Sequence, residues 1–86
     1  MTSLSRVPEI IVYSRRGCHL CELLLEELDP LVRSRARITV RDVDERAQWR
    51  AEYGERVPVV CAEDKVLCHY HLDRTVVTDW LEQMGA

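Results

Sequence analysis

The stretch Gly17-Cys18-His19-Leu20-Cys21 decides the fold, because its two cysteines stand between an apolar run and a leucine-rich segment. The apolar run is Ile10-Ile11-Val12-Tyr13, and the leucine-rich segment extends from Leu20 to Val32. This order predicts a strand, a tight turn and a helix, with the cysteine pair at the start of the helix. The free backbone N–H groups and the dipole at a helix start favour a thiolate over a thiol. The thiolate is the form of cysteine that attacks disulfides and binds metals.

Length and composition indicate one small globular domain. The chain has 86 residues, of which 47% are hydrophobic and 31% charged, and its net charge is −3. We therefore expect a single domain over residues 1–86, and the acidic balance argues against nucleic acid as a partner. No apolar run approaches the length of about 20 residues that spans a bilayer, and residues 1–9 lack the apolar core of a signal peptide. These observations predict a cytoplasmic protein with no membrane partner, in a compartment that keeps thiols reduced.

Four apolar runs predict strands, in the order β-α-β-α-β-β-α with three helices. A helical crossover makes the first two strands parallel, whereas a tight turn makes the last two antiparallel. The predicted fold class is therefore α/β, with a four-stranded mixed sheet flanked by helices. The predicted strands are Ile10–Ser14, Ile38–Val43, Val57–Cys61 and Val66–His69.

Helical spacing and capping residues delimit the three predicted helices. The first begins at about Cys18, and Pro30 is predicted to kink it or to tighten its end, because proline lacks a backbone donor. Asp44 is predicted to cap the second helix, which Gly54 ends, and Asp73 to cap the third. The predicted core residues are Leu20, Leu24, Leu28 and Leu31 in the first helix, and Val76, Val77, Trp80, Leu81 and Met84 in the third.

The helical spacing also gives the two cysteines of the motif different positions. Cys21 turns toward the core, while Cys18 lies at the exposed end of the helix. Cys18 is therefore the predicted nucleophile of a thiol–disulfide exchange, with a pKa below the free value of about 8.5, and Cys21 is the resolving thiol. His19 between them is predicted to tune Cys18, either by favouring its thiolate when protonated or by assisting proton transfer.

Three sequence features occur in a fixed order along the chain: Tyr13-Ser14-Arg15, the Cys18-x-x-Cys21 motif and Val57-Pro58. In this arrangement the chain resembles the glutaredoxin-like proteins of the thioredoxin-fold superfamily, over about residues 9–84. Its Gly-Cys-His-Leu-Cys string is similar to that of a family of small bacterial glutaredoxin-like proteins. The resemblance implies a thioredoxin-like fold and a thiol–disulfide oxidoreductase that serves cell redox homeostasis.

The resemblance also implies where substrate binds. In the family, the peptide bond before the proline of the Val-Pro pair is cis and lies against the redox motif, which leaves the valine backbone open to an incoming chain. The implied substrate-binding residues of this sequence are Arg15, Arg56, Val57, Pro58 and Asp73.

This chain departs from the family at the positions that hold glutathione. Glutaredoxins follow the last strand with a glycine pair, whereas this chain has Cys68-His69-Tyr70-His71-Leu72 there. Arg56 replaces the threonine before Val-Pro, and Leu20 replaces the aromatic residue inside the motif. We therefore expect no bound cofactor and only weak use of glutathione as a co-substrate. The expected partners are a disulfide-containing protein or small thiol as substrate and a reductase or glutathione as electron donor, with the protein itself a monomer.

Two other functions remain as alternatives. The first is a metal-binding module, since cysteines and histidines could hold zinc. No metal site is predicted, however, because six residues separate Cys61 from Cys68 instead of two to four. The second alternative is a non-catalytic binding domain that keeps the same fold, against which the intact Cys-x-x-Cys argues.

Cys61 and Cys68 are also predicted not to form a disulfide with each other. A turn centred on Glu63-Asp64 would place Cys61 opposite Val66 and Cys68 opposite Val59. The two cysteines would then be offset diagonally, which is a poor match to disulfide geometry. A turn centred on Asp64-Lys65 would instead place them opposite each other.

Overall fold

The computed structural model describes residues 7–85, with four strands and three α-helices in the predicted order. Every strand boundary lies within two residues of its predicted position. The predicted single domain also includes residues 1–6 and 86, which lie outside the described residues. Most of residues 1–9, the segment predicted to lack a signal peptide, therefore also lies outside them. The strands are β1 (Glu9–Ser14), β2 (Arg37–Asp42), β3 (Val59–Ala62) and β4 (Lys65–His69). The helices are α1 (His19–Val32), α2 (Ala47–Tyr53) and α3 (Arg74–Gln83), with a 3₁₀ turn at Val43–Glu45.

The four strands form one mixed sheet in the order β2-β1-β3-β4. Strand β1 pairs in parallel with β2 and antiparallel with β3, and β3 pairs antiparallel with β4. The predicted α/β class and both predicted strand pairings are therefore confirmed. Strands β1 and β3 are central, which explains why their apolar residues are consecutive, since both faces of these strands are covered.

The core has two parts, one on each face of the sheet. The larger part packs β1 and β3 against α1 and α3, and the smaller part packs them against α2 and the 3₁₀ turn. Fully burying a Val, Leu or Ile side chain contributes about 1.5–3 kcal/mol, so these side chains provide the main stabilisation of the sheet and its helices. The larger cluster contains Ile10, Val12, Leu24, Leu28, Val32, Val60, Ala62, Val77, Trp80 and Leu81.

Helix α1 follows the predicted pattern with one correction. Its N-cap is Cys18, and its buried residues are Cys21, Leu24, Leu28 and Val32. Leu20 was predicted to face the core but is 37% exposed, because it lies one residue, or about 100° around the helix axis, from the buried Cys21. Pro30 lies in the last turn, and the helix ends two residues beyond it.

The prediction that Asp44 caps the second helix is wrong. The Asp42 carboxylate accepts a hydrogen bond from the Asp44 N–H at 2.9 Å, so it is Asp42 that caps the 3₁₀ turn. Helix α2 begins later, after Arg46, which makes no side-chain capping bond. The sequence offers two aspartates two residues apart, and a capping preference alone does not choose between them.

The β3–β4 hairpin contains the two cysteines outside the motif. Glu63 and Asp64 both have positive φ, as the two central residues of a type I′ turn require. Cys61 lies opposite Val66 as predicted, but an irregularity in the register places Cys68 opposite Val60, not Val59. The predicted position of Cys68 is therefore wrong, because a bulge adds one residue to β4.

The bulge leaves Cys61 and Cys68 on opposite faces of the sheet. Cys61 belongs to the smaller part of the core and Cys68 packs against the larger part, and neither forms a disulfide. Burial raises the pKa of both thiols, since a low-dielectric environment disfavours the charged form. Tyr53, which hydrogen-bonds with Cys61, also has a pKa raised by burial.

Helix α3 confirms its predicted cap. The Asp73 carboxylate accepts a hydrogen bond from the Val76 N–H at 3.2 Å. Val77, Trp80 and Leu81 are buried as predicted, whereas Val76 is only half-buried. Met84 is 39% exposed, because it follows the last residue of the helix, so its predicted place in the core is wrong.

The first prediction tests the inward face of α1. Leu28→Ala should lower the free energy of unfolding by about 2–5 kcal/mol, because it removes buried methyl groups and leaves a cavity. Leu23→Ala on the same helix is the matched control and should change it by less than about 0.5 kcal/mol, because Leu23 is 41% exposed. Urea unfolding followed by circular dichroism gives both values, and equal losses would mean that α1 is rotated from its described position.

The second prediction concerns the thiols of the hairpin. With Cys18 and Cys21 kept as a disulfide, Cys61 and Cys68 should react slowly with iodoacetamide at pH 7 and quickly in urea. Burial raises their pKa and so withholds the reactive thiolate. Mass spectrometry of the labelled protein counts the adducts. Native labelling as fast as that of free cysteine would contradict this placement.

The same shifts give a pH dependence with a definite sign. The folded protein binds the two thiol protons more tightly than the unfolded chain does. The free energy of unfolding should therefore fall as the pH rises above the pKa of an unfolded cysteine. Urea unfolding across the alkaline range, compared with a Cys61→Ala variant, measures this slope.

Candidate active site

A four-residue turn connects β1 to α1. The Cys18 N–H donates to the Arg15 carbonyl at 3.1 Å, which closes the turn. Gly17 is its third residue and has a φ of +80°, as that position of a type II turn requires. A Cβ atom at Gly17 would meet no atom within 4 Å, so backbone conformation and not space calls for glycine here.

The turn places the two cysteines at the N-terminus of α1. The Cys18 sulfur accepts a hydrogen bond from the Cys21 N–H at 3.2 Å. The two sulfurs lie at disulfide distance, and their Cα atoms are 5.2 Å apart. Cys21 is 3% exposed and Cys18 is half-buried. A backbone donor directed at a sulfur stabilises negative charge on that atom, so the arrangement suits a Cys18 thiolate.

His19 is the first residue of α1 and is exposed. It lies between the two cysteines in sequence, but its side chain is directed away from the core that receives Cys21. Its predicted tuning of Cys18 stays a prediction.

The Arg15 side chain connects the turn to Asp44 and to Gly54, which follows the end of α2. Its Nε and Nη2 donate to the two Asp44 carboxylate oxygens at 3.0 and 3.3 Å. Its Nη1 donates to the Gly54 carbonyl at 3.1 Å. A Cβ atom at Gly54 would lie 2.5 Å from the Arg50 carbonyl oxygen and 3.3 Å from the Arg15 Nη2, which explains the glycine. The guanidinium that was predicted to bind substrate is therefore engaged within the chain.

The Val57–Pro58 segment lies next to the end of β1. The peptide bond between these residues is cis, and Pro58 is buried. Because Tyr13 is opposite Val59 in the antiparallel pair, the preceding Pro58 and Val57 run alongside the residues that lead into the turn. None of the hydrogen bonds among residues 7–85 uses the Val57 N–H or carbonyl. Its predicted role in binding substrate stays a prediction.

Two side chains hold the segment before Pro58. The Arg56 Nη2 donates to the Glu52 carbonyl at 2.8 Å, near the end of α2. The Tyr70 hydroxyl donates to the Glu55 carbonyl, and the Tyr70 N–H donates to the Pro58 carbonyl, both at 2.9 Å. The sequence analysis missed this role of Tyr70, since no local pattern relates it to a loop fifteen positions earlier.

An apolar surface lies beside the cysteine motif. Leu20, Leu23 and Tyr70 are its exposed apolar side chains. A cavity of about 80 Å³ lies between them, and its lining also includes Leu24, Glu27, His71 and Leu72. Pockets for small molecules usually hold about 300–1,000 Å³, so this cavity is too small to enclose a tripeptide.

A larger cavity of about 560 Å³ lies elsewhere, among Val7, Pro8, Glu9, Ile11, Glu63, Asp64, Trp80 and Met84. It opens at the start of β1, whereas the motif follows the end of that strand. At about 3.3 Å per residue the two regions are separated by the length of the strand, roughly 17 Å. This cavity is not part of the cysteine site.

Asp73 directly follows Leu72, which lines the small cavity. Its carboxylate caps α3, and its backbone N–H is near the Cys68 sulfur, where it opposes the effect of burial on the Cys68 pKa. Asp73 is exposed, and its predicted contact with substrate stays a prediction.

In residues 7–85, no three His, Cys, Asp or Glu side chains are grouped as metal ligands. None of the helices in the same part of the chain has the length and apolar character needed to cross a membrane.

Comparison with solved structures supports the fold. A structural-genomics target protein from X. campestris is 25% identical with a TM-score of 0.67, over 86% of this chain and 96% of that one. Thioredoxin 1 from Thermosipho africanus is 17% identical with a TM-score of 0.60, over 91% of this chain and 99% of that one. The thioredoxin Deadhead from Drosophila melanogaster is 18% identical with a TM-score of 0.53, over 95% and 85%. These likenesses confirm the predicted thioredoxin-like fold.

Comparison with protein families supports the resemblance noted from the motif. No curated protein matches the chain. A family model described as glutaredoxin-like domain (DUF836) matches residues 9–82. That range includes the turn, both cysteines of the motif and the Val57-Pro58 segment. The chain therefore belongs to the glutaredoxin-like family of the thioredoxin-fold superfamily.

Proposed function

We propose that this protein is a thiol–disulfide oxidoreductase that uses Cys18 and Cys21 as its dithiol/disulfide pair. One observation carries the proposal: at the N-terminus of α1, the Cys21 N–H donates to the Cys18 sulfur at 3.2 Å. The hydrogen bond and the helix terminus both favour a thiolate at Cys18. The buried Cys21, whose sulfur lies at disulfide distance from that of Cys18, is placed to resolve the intermediate.

The proposed reaction moves two electrons from the cysteine pair to a substrate disulfide. The Cys18 thiolate attacks one substrate sulfur, and the other substrate sulfur leaves as a thiolate that takes a proton from solvent. Cys21 then loses its proton and attacks the Cys18 sulfur, which releases the rest of the substrate as a second thiol. His19 is proposed to assist these proton transfers. A donor, either two monothiols or one dithiol reductase, returns the two electrons and is oxidised to its disulfide.

We propose that the substrate is a polypeptide with an accessible disulfide. The Val57 N–H and carbonyl make no hydrogen bonds within residues 7–85, so an extended peptide could pair with them as an added strand. The exposed Leu20, Leu23 and Tyr70 offer apolar contact beside the motif. A flat apolar surface with an open backbone edge fits a peptide better than it fits a small polar molecule.

Glutathione is proposed as a weak donor only. Cys68, His69, Tyr70 and His71 occupy the region where the family has a glycine pair, and the cavity that Tyr70 and His71 line holds about 80 Å³. Arg15, which the resemblance assigns to ligand binding, is bonded to Asp44. Each hydrogen bond to a charged ligand that is lost costs roughly 1.5–3 kcal/mol, about ten- to over a hundredfold in affinity.

The third prediction tests the roles of the two cysteines. Cys18→Ser should abolish reduction of insulin disulfides with dithiothreitol as donor, because the attacking sulfur is lost. Cys21→Ser should accumulate a mixed disulfide with the substrate, which mass spectrometry detects, because the resolving thiol is lost. Cys68→Ser is the matched control and should keep full activity. Full activity in the Cys18→Ser variant would disprove the assignment.

The fourth prediction tests the electron donor. Turnover of a glutathionylated peptide should be slow with glutathione alone, because the region that carries the glycine pair in the family reads Cys68-His69-Tyr70-His71 in this chain. A thioredoxin reductase system, assayed in parallel, should support turnover as well or better. An ordinary dithiol glutaredoxin provides the reference rate. A glutathione-driven rate equal to that reference would overturn the prediction.

A further inference from the structure

We propose that Asp44 is a specificity-determining residue, which occupies Arg15 and so keeps it from binding the carboxylates of small anionic thiols. The proposal rests on the function proposed above, in which an external thiol reduces the Cys18–Cys21 disulfide. It concerns which donors reach that disulfide, and it assigns a role to a residue that the sequence analysis treated only as a helix cap.

The position of Arg15 gives it influence over the approach to Cys18. Its carbonyl accepts the Cys18 N–H at 3.1 Å, so the arginine belongs to the same four-residue turn as the attacking sulfur. A guanidinium is a forked donor that matches the two oxygens of a carboxylate. An arginine at this place would attract any anionic thiol that approaches Cys18, provided that its fork were open.

The Asp44 carboxylate fills that fork from within the chain. It accepts hydrogen bonds from Nε at 3.0 Å and from Nη2 at 3.3 Å, which is the two-point geometry that a ligand carboxylate would use. The third contact, from Nη1 to the Gly54 carbonyl, holds the side chain against α2. An anionic donor must therefore displace Asp44 and also meet its negative charge.

The Arg15–Asp44 ion pair is partly exposed, so Asp44 competes only moderately with an anionic donor for Arg15. The Arg15 and Asp44 side chains are 38% and 46% exposed, and exposed ion pairs are weak and screened by salt. Asp44 should therefore disfavour anionic donors by about 1.5- to fivefold and should not exclude them. Substitution of Asp44 leaves the Arg15 bond to Gly54 in place, so the turn keeps one of its anchors.

The test measures reduction of the protein's own disulfide by two monothiols. The thiolate of the donor attacks Cys18, forms a mixed disulfide and releases Cys21 as a thiolate. A second donor molecule then releases Cys18 and leaves as the oxidised donor. The probes are glutathione, which carries a net negative charge, and 2-mercaptoethanol, which is neutral. Acid quenching, alkylation and mass spectrometry give the rate for each thiol, and the ratio of the two rates is the readout.

Asp44→Asn should raise the ratio of the glutathione rate to the 2-mercaptoethanol rate by about 1.5- to fivefold at low salt. The gain should shrink in 0.5 M sodium chloride, since it is electrostatic. Arg15→Gln added to Asp44→Asn should remove the gain, whereas Arg16→Gln, which changes the neighbouring exposed arginine, should keep it. Asp29→Asn is the matched control, because it breaks the exposed pair of Asp29 with Arg33 on α1 and should leave the ratio unchanged.

Two results would overturn the proposal. The first is an unchanged ratio in Asp44→Asn, and an equal change in the rates for both thiols would mean that Asp44 only positions the turn. The second is a gain that survives Arg15→Gln. The readout requires no substrate turnover, so the insulin assay can fail, and with it the proposed function, while these rates still decide the role of Asp44.

Discussion

The turn between β1 and α1 is the constraint on which the rest of the candidate site depends. One hydrogen bond, from the Cys18 N–H to the Arg15 carbonyl, closes it and makes Cys18 the N-cap of the helix. The turn follows the end of β1, a central strand that is covered on both faces by the two parts of the core. Cys21 follows three residues later and is buried on the same face of the helix as Leu24, Leu28 and Val32.

The segment before β3, from Gly54 to Pro58, is held by hydrogen bonds on both sides of Val57. Arg15 binds the Gly54 carbonyl at one end, and the Tyr70 N–H binds the Pro58 carbonyl at the other. Val57 lies between them, and its backbone groups have no partner within residues 7–85. A backbone edge that is fixed in position but unpaired can accept a peptide without first paying the entropy of ordering itself.

Features that depend on nearby residues could be predicted from the sequence, whereas those that depend on distant partners could not. The start of α1 at the cysteine pair and the Asp73 cap each rest on preferences within a few positions. Asp44 shows the limit. Its sequence context suits a helix cap, but its carboxylate binds Arg15, which is 29 positions earlier. The exposure of Leu20 has a similar cause, since only the packed sheet decides which of the leucines of α1 face inward.

The four cysteines of the chain lie in different environments, which give their thiols different reactivity. Cys18 receives a backbone N–H at a helix terminus, an arrangement that stabilises a thiolate. Cys61 and Cys68 lie in the sheet, where burial raises their pKa and keeps them protonated. The bulge in the hairpin sends them to opposite faces, which prevents a competing disulfide. In the proposed reaction, this difference in environment directs exchange to the Cys18–Cys21 pair.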